Sequence, residues 1–110
     1  MKCLTWLTPI VIASLATVAQ AQEAGDAKAG LTYAQQVCTQ CHAVLANEQL
    51  SPLPQAPTFQ AAADTPGMTA TALAVWLQSS HPTMPNIVLA PKDRDNVIAY
   101  IRSLKRTPSQ

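Results

Sequence analysis

The chain has 110 residues, of which 48% are hydrophobic, 12% charged and 5% aromatic. This length allows one domain at most, and the hydrophobic content excludes a disordered chain. The few charges and the nine prolines exclude a coiled coil and a nucleic-acid binder that relies on a basic surface. The small supply of aromatic side chains suggests that something other than side chains completes the core.

The first 21 residues have the pattern of a secretory signal peptide. Lys2 supplies a positive charge, and the apolar run over residues 4–18 is shorter than the ~20 residues that cross a bilayer. Ala19-Gln20-Ala21 is a small-x-small cleavage site. We expect cleavage after Ala21, which leaves residues 22–110 as the folded domain with six acidic and six basic side chains. An uncleaved membrane anchor is the alternative.

Hydrophobic periodicity predicts helices joined by proline-rich loops, and no strand pattern of useful length is present. The fold class is therefore predicted to be all-α. In chain order we expect a helix over 26–37, a short turn over 59–64, a helix that starts at Thr69 or Thr71 and stops before Pro82, and a helix from about Pro91. The third of these elements should carry Leu73, Trp76 and Leu77 toward the core, and the last should carry Val97, Ile98, Ile101 and Leu104.

The pentapeptide Cys38-Thr39-Gln40-Cys41-His42 is the most specific motif of the chain. Two thiols at this spacing can each add across a vinyl group of one haem, and the histidine that follows places imidazole beneath the iron. The motif therefore predicts one haem c, attached covalently through Cys38 and Cys41, with His42 as an axial ligand.

Three competing uses of these cysteines are open. A Cys38–Cys41 disulfide would close a very short loop and stabilise little. A thioredoxin-like redox pair needs a βαβ surrounding, which the helical pattern does not offer. A zinc site of Cys38, Cys41, His42 and His81 lacks the paired spacing that such sites usually have.

The sixth ligand of the iron decides what the haem can do. Met84 lies between Pro82 and Pro85 in a stiff, non-helical connection, so it is the candidate that we favour. Met68, which follows Gly67 at a helix start, is expected to fill a gap in the core. Ligation by His81 and an open sixth position also compete with Met84. A thioether ligand favours ferrous iron and raises the reduction potential.

With these motifs the chain resembles the small bacterial class I cytochromes c over nearly all of residues 22–110. The resemblance implies about three to five helices around one haem, with the first and last helices crossing where Gly30 meets Val97 and Tyr100. Family members with an aromatic residue four positions after this glycine would have it at Ala34, whereas here the aromatic is Tyr33. The segments that carry the resemblance are Gly25-Asp26-Ala27, Gly30, Tyr33, the attachment motif, Pro57-Thr58-Phe59, Met84-Pro85-Asn86 and residues 96–101.

The resemblance also implies further site residues. The carbonyl of Pro57 is expected to accept the Nδ1 proton of His42, with Pro52 and Pro54 as alternatives. Phe59 and Trp76 are expected to pack in the haem pocket, and the indole of Trp76 is a candidate donor to a haem propionate.

The function expected from motif and resemblance is that of a periplasmic electron carrier and not an enzyme. Its iron would cycle between the ferric and ferrous states. In each cycle it would take an electron from a donor dehydrogenase or reductase and pass it to an acceptor such as an oxidase. Its partners would be redox proteins. The carrier itself would be a monomer or form transient complexes. It would bind no nucleic acid and would not insert into a membrane after cleavage of the signal peptide. The alternatives are a haem enzyme or gas sensor whose sixth position opens, and a dedicated haem subunit of one redox complex.

Overall fold

Residues 24–107 are described by the computed structural model, and this part of the chain is helical. Within it, the only β-type pairing is an isolated bridge between His81 and Met84. The prediction of an all-α fold is confirmed. No helix among these residues has the length and apolar character to span a bilayer. The expected signal peptide lies outside the described residues. The helices are α1 (Ala27–Val37), α2 (Phe59–Asp64), α3 (Ala70–Gln78) and α4 (Pro91–Ser103).

The helices begin where local sequence favours a start. Asp26 accepts hydrogen bonds of 2.8 and 3.1 Å from two backbone N–H groups in the first turn of α1. The hydroxyl of Thr58 accepts one such hydrogen bond at the start of α2, at 3.0 Å. The hydroxyl of Thr69, one of the two predicted caps, accepts one at the start of α3, at 3.1 Å. The last helix, α4, starts at Pro91 with Asp93 in its first turn, next to the positive end of the helix dipole.

The most extensive contact between helices is the crossing of α1 and α4. A Cβ atom on Gly30 would lie 2.5 Å from the carbonyl carbon of Asn96 and 2.9 Å from the Cβ atom of Tyr100. Only glycine allows the two backbones this close, so the predicted crossing at this residue is confirmed. Val97, the other expected neighbour, is fully buried in the core, as is Ala34, which stands where the aromatic of other family members is expected.

Two side chains of α4 fasten the rest of the chain to this crossing. The Oδ1 atom of Asn96 accepts a hydrogen bond of 2.8 Å from the backbone N–H of Asp26. The hydroxyl of Tyr100 donates a hydrogen bond of 2.6 Å to the carbonyl of Val44, just beyond the cysteine motif. The segment after the motif is therefore held against α4 by a buried polar contact.

The core is small, and it contains few aromatic rings, as the composition predicts. Among the described residues, Phe59 and Tyr100 are the buried aromatics, with ring centroids 6.4 Å apart. The prediction that Trp76 points into the core is wrong, because the residue is 52% exposed and its ring packs against His81. The buried cluster consists of Ala34, Val44, Phe59, Ala63, Leu73, Val97, Ile98, Tyr100 and Ile101.

Candidate haem-binding site

The cysteine motif forms a compact turn directly after α1. The backbone N–H of Cys38 donates to the carbonyl of Ala34 at 2.8 Å and so ends the helix. The carbonyl of Cys38 in turn accepts hydrogen bonds from the N–H groups of Cys41 at 3.2 Å and His42 at 2.9 Å. This turn holds the two thiols and the imidazole on one short stretch of backbone, as attachment to a single group requires.

Both cysteines are half-buried free thiols. Burial, reinforced by the neighbouring Cys41, raises the pKa of Cys38 to about 11. A thioredoxin-like redox pair depends on a lowered thiol pKa, which this environment does not supply. In the described part of the chain no three His, Cys, Asp or Glu side chains are grouped to hold a metal ion, so a zinc site finds no geometric support either.

His42 is oriented by a backbone carbonyl and by an aromatic ring. Its Nδ1 atom lies 2.7 Å from the carbonyl oxygen of Pro57, so of the three candidate prolines it is Pro57 that supplies this contact. A carbonyl can only accept, so Nδ1 carries the proton and Nε2 keeps its lone pair. The ring of Phe59 packs against the imidazole at a centroid distance of 5.5 Å and an angle of 53°. Such an arrangement fixes the ring and makes Nε2 a better ligand.

A cavity of about 330 Å³ lies next to His42 and is lined mainly by apolar side chains. It brings together six of the seven site residues expected from sequence and resemblance. Cys41, the seventh, lines a smaller cavity of about 70 Å³ together with His42, His81 and Met84. The larger cavity is lined by Cys38, His42, Pro57, Phe59, Ala62, Thr65, Met68, Leu73, Trp76, Leu77, His81, Met84 and Ile101.

Met84 reaches this cavity from a tight turn. Its backbone N–H donates to the carbonyl of His81 at 3.3 Å, with Pro82 and Thr83 at the two central positions of the turn. Thr83 has a φ of 71°, in the left-handed region that a β-branched residue rarely adopts. The second methionine of the cavity, Met68, packs against the buried cluster, as expected for a side chain that fills a gap.

These residues fit a covalently attached haem c. Two thiols, an imidazole with a free Nε2 lone pair and a thioether share one region, and the lining between them is apolar. Several lining residues were not singled out as site residues from the sequence, among them Ala62, Thr65 and Ile101. Apolar periodicity places such residues on an inward face, but it cannot distinguish contact with a core from contact with a cavity.

Comparison with known proteins agrees with this chemistry. The chain is 32% identical over 95 residues to the cytochrome c-552 of Bradyrhizobium diazoefficiens, in an alignment that covers 86% of this chain and 90% of the relative. The chain belongs to the small bacterial c-type cytochromes. No protein-family profile matches it, and no solved structure matches it significantly.

Membership of this family agrees with the class I all-α fold and the haem c chemistry expected from the sequence. The cysteine motif of the cytochrome directly follows α1, and its candidate methionine lies in the connection between α3 and α4. The two segments that could face the two sides of a haem are therefore both outside the helices. The helices supply the frame that positions them.

Proposed function

We propose that this cytochrome is a periplasmic one-electron carrier whose haem is attached to Cys38 and Cys41 and ligated by His42 and Met84. When bound, the haem supplies an iron that alternates between ferric and ferrous states. The observation that carries the proposal is that His42, with Nδ1 bound to the Pro57 carbonyl, and Met84 line the same apolar cavity.

The protein side chains have separate tasks in this function. The contact with Pro57 keeps His42 in one tautomer and one orientation, so Nε2 is available as a ligand in either oxidation state. The thioether of Met84 favours the ferrous state and raises the potential. The apolar lining offers few polar groups that would reorient when the charge of the centre changes.

The residues that line the cavity also favour a carrier over a haem enzyme. His42, His81 and Cys38 are its titratable side chains, and no Asp, Glu, Lys or Arg among the described residues lines it. Peroxide chemistry needs a positioned acid, base or arginine near the open face of the iron. His81 is the side chain of this cavity that could act in this way. With Met84 as the sixth ligand the iron would have no open face for such chemistry, which supports a carrier.

The expected signal peptide supports a periplasmic location, with cleavage after Ala21. We propose donor and acceptor redox proteins as partners, and the charge pattern indicates what their docking faces are like. From Thr65 to Pro91 the chain has no Asp, Glu, Lys or Arg. This stretch includes α3 and the turn of Met84, so partners should meet a largely uncharged face.

Absorption spectra of Met84→Ala and Met84→His proteins, beside the parent, test the ligand set. We expect covalent haem in all three, and a sulfur-to-iron charge-transfer band in the ferric parent that both substitutions remove. Met68→Ala is the matched control, because Met68 lines the same cavity and should leave the band unchanged. A parent-like spectrum in Met84→Ala would exclude Met84 as a ligand, and protein without covalent haem would refute the proposed function as a whole.

A carbon monoxide experiment separates the carrier from a gas sensor. The reduced parent should bind carbon monoxide slowly, because Met84 must leave first. Rapid binding by the parent would favour a haem whose sixth position opens in function.

A further inference from the structure

His81 is the histidine of the cavity that the proposed function does not use as an iron ligand. It lines the cavity that contains His42 and Met84, and it also lines two adjoining cavities of about 410 and 70 Å³. Met84 lines all three of these cavities as well. His81 and the candidate ligand Met84 therefore line the same cavities.

The ring of His81 is held much as the ring of His42 is. Its Nδ1 atom lies 3.0 Å from the carbonyl oxygen of Ser79, so Nδ1 is the donor and Nε2 keeps its lone pair. Trp76 meets the imidazole edge to face at a centroid distance of 5.2 Å and an angle of 84°. A carbonyl on Nδ1 and an aromatic ring against the imidazole are also the two features that orient His42.

A carbonyl on Nδ1 is what ligating histidines usually have, since it fixes the tautomer and increases the basicity of Nε2. A histidine that only caps a helix or faces solvent needs no such arrangement. His81 is half-buried and lines the cavity. Its Nε2 atom is therefore available as a ligand beside this cavity, although the proposed function already has two.

The turn that presents Met84 is strained at its centre. His81 and Met84 are the first and last residues of this turn, joined by the 3.3 Å backbone hydrogen bond. Thr83, with a φ of 71°, stands at the position where such turns favour glycine. Strain of this kind at a functional site is a ground for inferring a second conformation of the turn.

We propose that His81 is a second distal ligand, which exchanges with Met84 at the iron of the proposed cytochrome. This inference rests on the proposed function. In the exchange the iron–sulfur bond to Met84 breaks and a bond to Nε2 of His81 forms. The neutral imidazole supplies the electron pair, so no proton or electron is gained or lost. Imidazole favours ferric iron more than a thioether does, so His81 competes in the ferric state and Met84 holds the ferrous state.

Electron paramagnetic resonance of four ferric holoproteins at one pH tests the exchange. These are the parent, His81→Ala, Met84→Ala and the double variant. We expect two low-spin species in the parent and only the methionine-ligated one in His81→Ala. Met84→Ala should remain low-spin, ligated by two histidines, whereas the double variant should become high-spin and, once reduced, bind carbon monoxide faster than Met84→Ala.

Two further variants keep the result specific. Met84→Ala combined with Met68→Leu should stay low-spin, because Met68 is not the replacement. Thr83→Gly, in which the positive φ costs little, should reduce the histidine-ligated fraction of the ferric protein.

A single ferric species in the parent, identical to that of His81→Ala, would overturn the exchange. High-spin iron in Met84→Ala would overturn ligation by His81 altogether. The proposed function fails by a different result, namely missing covalent haem or a thioether band that survives in Met84→Ala. The two failures are therefore distinguishable.

Discussion

The crossing of α1 and α4 and the distal segment, residues 79–89, are organised in opposite ways. At the crossing, backbones meet at Gly30, and Asn96 joins α4 to the residue before α1 by a 2.8 Å hydrogen bond. The distal segment has no helix, and its turn is closed by a hydrogen bond within the segment, the 3.3 Å bond between Met84 and His81. One region is specified by protein packing, whereas the other borders a cavity and, in the proposed function, would pack on the haem.

In the proposed function this difference would compensate for the small number of buried aromatics. Small domains commonly need a staple, and the attachment turn at Cys38 and Cys41 would join a haem to the end of α1. The same haem would give the distal segment an apolar surface to pack on. Substitutions should therefore act on global stability at the crossing and on ligation or docking in the distal segment.

The largest effect is expected at the crossing itself. Gly30→Ala would place a Cβ atom 2.5 Å from the carbonyl carbon of Asn96, and neither backbone can move away cheaply. We expect a loss of about 3 kcal/mol in the free energy of unfolding, measured with denaturant on the haem-loaded protein.

Gly67→Ala is the matched control for this substitution. Gly67 has a φ of 76° and open space around it, so only the backbone conformation resists a side chain. A loss of about 1–2 kcal/mol is expected there. Equal losses at the two glycines would show that close packing is not what specifies the crossing.

A smaller loss should follow from Tyr100→Phe, which removes the hydroxyl that donates to the Val44 carbonyl at 2.6 Å. The buried carbonyl would lose this partner, which costs about 1–3 kcal/mol in the free energy of unfolding. Tyr33→Phe is the control, because Tyr33 is only half-buried, and a change within about 0.5 kcal/mol is expected. If Tyr100→Phe is as stable as the control, α4 does not fasten this loop.

The pH dependence of stability should change slightly when Asp64 is altered. Arg106 donates to its carboxylate from the backbone N–H at 2.9 Å and from Nε at 2.8 Å, and Gln60 adds a bond of 3.1 Å. These bonds lower the pKa of Asp64 to about 2. Because the folded pKa lies below the unfolded one, the contribution is complete above pH ~4 and is lost as the pH falls toward ~2.

Denaturant unfolding of the parent and Asp64→Asn at several pH values would measure this contribution. The difference in stability should be largest at neutral pH and shrink below pH ~4. Arg106→Gln should reduce the same pH dependence, because it removes the charged guanidinium that contacts the carboxylate. A difference that does not vary with pH would mean that the ionised carboxylate is not what stabilises the contact.

The smallest effect is expected from salt on electron exchange between ferric and ferrous copies. Since residues 65–91 carry no Asp, Glu, Lys or Arg, the exchange rate should change by less than about twofold between low and high salt. Line broadening in nuclear magnetic resonance spectra of mixed ferric and ferrous protein gives this rate.

A lysine added to the distal segment should create a salt dependence that the parent lacks. Val88→Lys is suited to this, since Val88 is 92% exposed. Its exchange should be slower at low salt and recover as salt screens the repulsion. Ala29→Lys adds the same charge to the exposed side of α1 and should have less effect. Equal slowing by both variants would indicate that the uncharged face is not where exchange occurs.

Much of the frame was predictable because it depends on short-range rules. Asp26 and Thr69 cap helices as their positions suggest, and α1 ends just before the cysteine motif. Trp76 was wrongly expected in the core, although it lines the cavity as expected, because helical spacing gives the side of the helix but not the neighbour on that side. The choice of Pro57 among three loop prolines depended on how the loop folds back on His42, which no local pattern encodes.

The sequence by itself determined the chemistry of this cytochrome, because thiols and imidazole at a fixed spacing lie together whatever the rest of the chain does. It also determined where helices start and stop, through caps and prolines. Only the tertiary structure decided which distal side chains share the cavity with His42. Met84 and His81 reach it together because the chain between α3 and α4 folds back in a tight turn, and contacts between residues so far apart in sequence are not encoded by local periodicity.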